Sequence, residues 1–280
     1  MIDAEALLAR ISVGHRLLLV AALGGTEPAL RAWSDWRSTV DFDGIDGTSS
    51  RLLPLVARRS DVIDVHADDP VTGRVRGLYR RAWVANERAF AAAEAACTAA
   101  VAAGIDVLHV EALPLATMLG DSGVRPLWDV DVCVPRRSMR TALDVLGRLG
   151  WSESPRRARA RWQRWPRQLV RAGARLRLIE QRPWPGADSS AWSRAMPAST
   201  EGVRLLGPHD VLVHAAIRAQ QHWQPPGGYW VADFVRAAAA LGHPEVGGVL
   251  DDPEVLGCAG SHGALDVLNA AVVVADRVLE

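Results

Sequence analysis

The stretch RPLWDVDVCVP, residues 125–135, sets two aspartates one residue apart inside a run of valines that otherwise reads as a buried β-strand. Alternate strand residues point to the same face, so Asp129 and Asp131 stand side by side while Val130 and Val132 turn the opposite way into a core. Two carboxylates among Trp128, Val130, Val132 and Val134 are costly to bury without a partner. A divalent metal with oxygen ligands would supply one, magnesium being the suitable ion. A solvent-facing strand edge, or pairing with arginine, would serve too, and spacing alone leaves these alternatives open.

Outward from this strand the text alternates between helix and strand patterns. Upstream, IDVLHVEA (105–112) is short, apolar and β-branched, and LPLATMLGDSG (113–123) reads as a helix turn and loop. Downstream, SMRTALDVLGRLG (138–150) reads as a helix stopped by Gly150. The alanine-rich segment 74–103 is the clearest long helix and ends at Gly104. Before it, residues 3–40 carry helical spacing broken at GGTEP (24–28), and 44–72 is a mixture of helix turn and loop. After residue 150, arginines alternate with apolar residues around a turn at RAGA (171–174), the pattern of half-exposed strands. A linker at 185–202 leads to three helical segments at 207–223, 229–242 and 261–280.

Composition excludes several classes of protein. With 280 residues and 49% apolar content, the chain is long enough for one large or two ordinary folded domains. Its 32 basic residues, all arginine, balance 32 acidic ones, so no global field draws it to nucleic acid or membrane. Cys97, Cys133 and Cys258 are scattered among apolar residues, as expected of reduced thiols in a cytoplasmic protein rather than a disulfide frame. The longest apolar run, LLLVAAL (17–23), is far short of the ~20 residues a membrane span requires.

Residues 102–151 resemble the uncharacterised nucleotidyltransferase family of the DNA polymerase β-like superfamily. The resemblance rests on Arg125, Asp129 and Asp131 in an Arg-x-x-x-Asp-x-Asp strand, and on Leu146, Leu149, Gly150 and Trp151 at the end of the next helix. It extends to the helix around Asn86 and to the segments holding His222 and Asp233. It implies an α+β fold: a small nucleotidyltransferase-like mixed β-sheet with helices over 105–186, flanked by helical regions at 1–104 and 187–280. It also implies that Asp129 and Asp131 ligate two Mg2+ ions that bridge a nucleoside triphosphate and an acceptor hydroxyl. The expected reaction is transfer of a nucleoside monophosphate to a small molecule, peptide or RNA, with neither DNA nor membrane as a partner.

Two positions depart from the family pattern. Glu111-Ala112 stands where the family has Lys-Gly, and Arg177 and Ile179 stand where it carries an acid and a histidine. The third carboxylate would then come from Glu111, on the strand beside the aspartates, or from Glu180. Residues 156–182 hold ten arginines against one glutamate, so Arg175 and Arg177 join Arg125 as candidate phosphate contacts. His214, Arg218 and His222 share one helix face at i, i+4 and i+8 and either line the cleft or belong to a core network. The departures also admit an alternative function, a catalytically degenerate member serving as a binding or scaffold module in a biosynthetic or toxin–antitoxin system.

Overall fold

A computed structural model describes residues 2–154, 166–180, 190–220 and 228–280. The N-terminal region forms α1 (Ala4–Ala9), α2 (Val13–Leu23), α3 (Thr26–Thr39), α4 (Gly47–Val56) and α5 (Ser60–Ile63). The first helical stretch is divided because Ser12 leaves the helix and caps α2 through a bond from the His15 amide. The long helix α6 (Pro70–Ala102) begins earlier than its apolar pattern suggests. Asp69 accepts from the Val71 amide and Pro70 occupies the first turn, where no amide is needed.

The central segment alternates as β1 (Val107–Val110), α7 (Ala112–Leu119), β2 (Val130–Val134) and α8 (Met139–Arg148). It continues through β3 (Ser152–Glu153), β4 (Arg167–Arg171) and β5 (Ala174–Glu180). The turn at RAGA is present: Ala172 and Gly173 both have positive φ, 47° and 84°, which matches the twist of a two-residue hairpin. Beyond the core the chain adds α9 (Ser190–Ser193), β6 (Met196–Pro197), β7 (Val203–Leu205), α10 (Pro208–Ile217), α11 (Tyr229–Ala240), α12 (Pro253–Ser261) and α13 (Leu265–Leu279).

The expected linker therefore contains one short helix and one short strand, α9 and β6, and β7 follows it directly. Seven described strands form one mixed sheet in the order β3-β4-β5-β2-β1-β7-β6. β2 runs antiparallel to β1 and parallel to β5, and β7 runs parallel to β1. The architecture is α+β, and the strands of the sheet come from the central stretch and from the stretch after it, while α6 of the N-terminal stretch packs on one face. Val130, Val132 and Val134 pack with Leu176 and Leu178 beneath Ala93, Ala96 and Ala100 of α6 and Ala142 and Leu146 of α8. The opposite parity, with Val110 and Cys133, joins the larger core built from the N- and C-terminal helices. No described helix is long and apolar enough to cross a membrane.

Asn86 ties α6 to the loop that enters β2. Its Nδ2 donates to the carbonyls of Ser122 and Arg125 (2.8 Å for the latter), and its Oδ1 accepts from the Leu127 amide at 3.1 Å. The side chain is buried, so no water replaces these bonds when it is removed. Asn86→Ala is expected to lower unfolding free energy by about 3 kcal/mol in urea titration, whereas a loss below about 1 kcal/mol would mean the loop is held elsewhere.

Candidate functional site

Strand register places one polar row across the middle of the sheet. Val110 of β1 pairs with Asp131 of β2, Asp131 with Arg177 of β5, and Arg177 with Gln168 of β4. Glu111 directly follows Val110, so a carboxylate, a carboxylate, a guanidinium and an amide meet on the face opposite α6 and α8.

Arg177 is the centre of this row. Its Nε donates to Asp131 Oδ1 at 2.5 Å, and its Nη2 donates to Asp131 Oδ2 at 2.8 Å and to Glu111 Oε1 at 3.0 Å. Asp129 stands one residue before β2, half-buried, and accepts from Gln168 Nε2 at 2.9 Å. On the helical side, Arg218 Nη1 lies 3.4 Å from Glu111 Oε2 and 3.5 Å from Asp233 Oδ2, and His214 Nε2 lies 3.7 Å from Glu111 Oε1. Arg125 Nε donates to both oxygens of Asp233, at 3.0 and 2.9 Å, linking the loop before β2 to α11.

The sequence-derived candidates divide accordingly. Glu111, Asp131, Arg177, Arg218, Arg125 and Asp233 form one network, with Asp129 at its rim. Glu180 points to the other face of β5, where it pairs with Arg136 at 2.9 Å, so this strand parity keeps it out of the network. Arg175 shares the Arg177 side of β5 and is exposed. His222 lies outside the described residues, as does the part of the arginine-rich segment at 155–165.

Three members of the site were not singled out from sequence. Gln168 could have been placed opposite Arg177 by counting back from the RAGA turn. Arg51 and Tyr229 carried no such signal. Arg51, on α4, lies over the Tyr229 ring at 4.6 Å and the Trp128 ring at 5.8 Å, and Arg125 lies over Tyr229 at 5.6 Å.

Burial sets the protonation states. It pushes Asp131 well above the usual carboxylate range, Glu111 adds to the rise, and Arg177 only partly opposes it. Glu111 resists the same burial because Arg218 and Arg177, then His214, hold it well below that range. Burial lowers His214 to about 4, against the pull of Glu111, and lowers His109 on the opposite sheet face to about 4. Glu111 also has a φ of 60°, unusual for a residue with a side chain, and its position is held by the cations around its carboxylate.

A family model described as uncharacterised nucleotidyltransferase matches residues 48–279. The chain belongs to this family. Membership supports nucleotidyl transfer as its general activity. Neither the curated proteins nor the solved structures compared with it include a match.

The resemblance read from the sequence implies two magnesium ions at the paired aspartates, which the residues present either fit or do not. Asp129, Asp131 and Glu111 have the right oxygen donors. Their arrangement does not fit a metal cluster: the three side chains do not bring one oxygen each within 4.8 Å of the others. Both oxygens of Asp131 already accept from Arg177, and the cation is supplied by the protein itself.

Arg177→Met would take the counter-cation from buried Asp131, leave Glu111 with Arg218, and is expected to cost about 3–5 kcal/mol at neutral pH. Without the guanidinium Asp131 is pushed still further above its unfolded value, so the folded variant holds that proton to higher pH than the wild type does and its deficit shrinks as pH falls toward 4. A second contribution is common to both proteins. His109 and His214 fall from 6.5 to about 4 on folding, so the unfolded chain takes up more protons there, and stability drops as pH falls through that window. Urea midpoints measured from pH 7 to pH 4 for both proteins check the narrowing gap; parallel curves would contradict the assignment.

Proposed function

We propose that this protein binds a nucleoside triphosphate over the polar row and transfers its nucleoside monophosphate to a hydroxyl of a small molecule, peptide or RNA. The observation that carries this reading is the uncompensated Arg51. Its guanidinium rests on two aromatic rings, makes no ion pair among the described residues, and has a buried Nε with no hydrogen-bond partner there. Burial and the nearby Arg125 and Arg218 push its pKa down, the mark of a cation short of negative charge. A triphosphate supplies that charge, and arginine forks suit its oxygens.

The same ligand offers Arg177 a second anionic partner. In this reading, phosphate contact draws Arg177 from Asp131 and Glu111 and frees the carboxylates, which the ligand-free arrangement keeps closed. Arg51 and Arg177 bind the phosphates, while Arg125 and Asp233 hold the loop that presents Asp129 and Asp131. No step is assigned to a metal ion, because the carboxylates as arranged do not receive one.

A second reading, a degenerate member that binds nucleotide without transferring it, is favoured by the Arg177 ion pairs and by the position of Glu180 on the other face. A thermal-shift panel of the four nucleoside triphosphates tests the shared premise. At about 100 Kd a ligand stabilises the folded state by about 2.7 kcal/mol, so the wild type should shift clearly and Arg51→Met should not. No shift with any triphosphate overturns the proposal; a shift with no pyrophosphate released in the presence of hydroxyl acceptors selects the second reading.

A further inference from the structure

Away from the polar row, a second cluster of chemistry-bearing side chains lies within the C-terminal helices. Asp210 sits in the first turn of α10, Cys258 in the last turns of α12, and His262 immediately after α12. All three are buried, and one ligand atom from each lies within 4.8 Å of the other two. His262 Nε2 is 2.7 Å from Asp210 Oδ1, and Cys258 Sγ donates to the same oxygen at 3.4 Å. Among the described residues this is the one trio of metal-ligating types that meets so closely.

A cation already completes the cluster from the solvent side. Arg194, about one third exposed, donates from Nε to Asp210 Oδ2 at 2.8 Å and from Nη2 to Asp210 Oδ1 at 2.7 Å. Its Nη2 also lies 3.0 Å from His262 Nε2, and this contact conflicts with the histidine's other one. If Nε2 carries a proton to donate to Asp210, it faces the arginine's N–H groups. If Nε2 is unprotonated to accept from Arg194, its lone pair faces a carboxylate oxygen at 2.7 Å. No tautomer satisfies both neighbours, whereas a metal ion would take the Nε2 lone pair and the Asp210 oxygen together.

We propose that Asp210, Cys258 and His262 form a site for a divalent cation of the zinc type, which displaces the Arg194 guanidinium from the trio. The donors are one carboxylate oxygen, one thiolate sulfur and one imidazole nitrogen, the mixture zinc accepts and magnesium does not. Charge stays balanced in both forms. The guanidinium neutralises Asp210 in one; in the other the Cys258 thiol releases its proton to solvent, and thiolate with carboxylate neutralises the dication. Both ligand-bearing helix ends belong to the packed C-terminal core, so the donors are preorganised, and the component that moves is the arginine, about one third exposed. Arg194 is itself closely seated, since a Cβ on Gly207 would meet its carbonyl oxygen at 2.8 Å. Metal occupancy would thus loosen the segment that precedes β6 and β7.

Cobalt(II), titrated into the tag-free full-length chain, is the probe. The expected result is one cobalt per chain with a thiolate-to-cobalt absorption band, displaced by zinc, retained in Cys97→Ser and Cys133→Ser and lost in Cys258→Ser. Arg194→Met removes the competing cation and should tighten cobalt binding at least about tenfold. A wild type with no thiolate band, or a band that persists in Cys258→Ser, overturns the proposal. Should Cys258→Ser fail to fold, Arg194→Met decides: unchanged cobalt affinity in that variant also overturns it.

Discussion

The guanidinium of Arg177 is the interaction on which the centre of this protein depends. It touches Asp131 on the neighbouring strand and Glu111 beyond the next, so it crosses β5, β2 and the end of β1 with a single side chain. Both carboxylates face the junction between the sheet and the C-terminal helices, where water is largely excluded. Buried ions of one sign are costly unless opposed, so the arginine and the two acids can occupy this face only together. Arg218 and His214 complete the enclosure of Glu111 from the helical side.

That constraint links fold to chemistry. A one-residue slip of β5 would turn Arg177 into the apolar layer under α6 and bring Leu176 or Leu178 against Asp131, so charge and packing specify the same register. The arrangement also places a fixed positive charge where the sequence resemblance implies metal ions, in a chain whose Glu111 stands where that pattern has lysine. Charge at the two positions has in effect been exchanged between strands: an acid has come to the end of β1 and a base to β5. Around this neutralised centre Arg51 and Arg125 stack on Tyr229, and Arg51 has no carboxylate partner among the described residues.

Much of this was legible in the chain. Period-two alternation identified β2 and the β4–β5 hairpin, RAGA marked its turn, and the alanine-rich pattern identified α6, because each signal is local. Arg125, Asp129, Asp131 and Asp233 were found through family spacing, and Glu111 was recognised as a carboxylate on the adjacent strand. β6 and β7 were not legible: two and three residues are too few to show a period, and β7 is recognised as a strand by its partner β1. Arg51 was missed because its role arises from a contact between α4 and α11, distant in sequence. Arg177 was noticed as a departure from pattern, but its part in holding Asp131 and Glu111 together required the pairing of three strands. Glu180 illustrates the converse, a residue of the right type with the wrong parity.

The central claim is that Arg177 is the resident counter-cation of the acidic pair. Isothermal titration of magnesium into the nucleotide-free protein, wild type beside Arg177→Ala, tests it most directly. The account predicts no Asp131-dependent magnesium binding in the wild type and its appearance once the guanidinium is removed. Magnesium binding by the wild type that disappears in Asp131→Asn would contradict it.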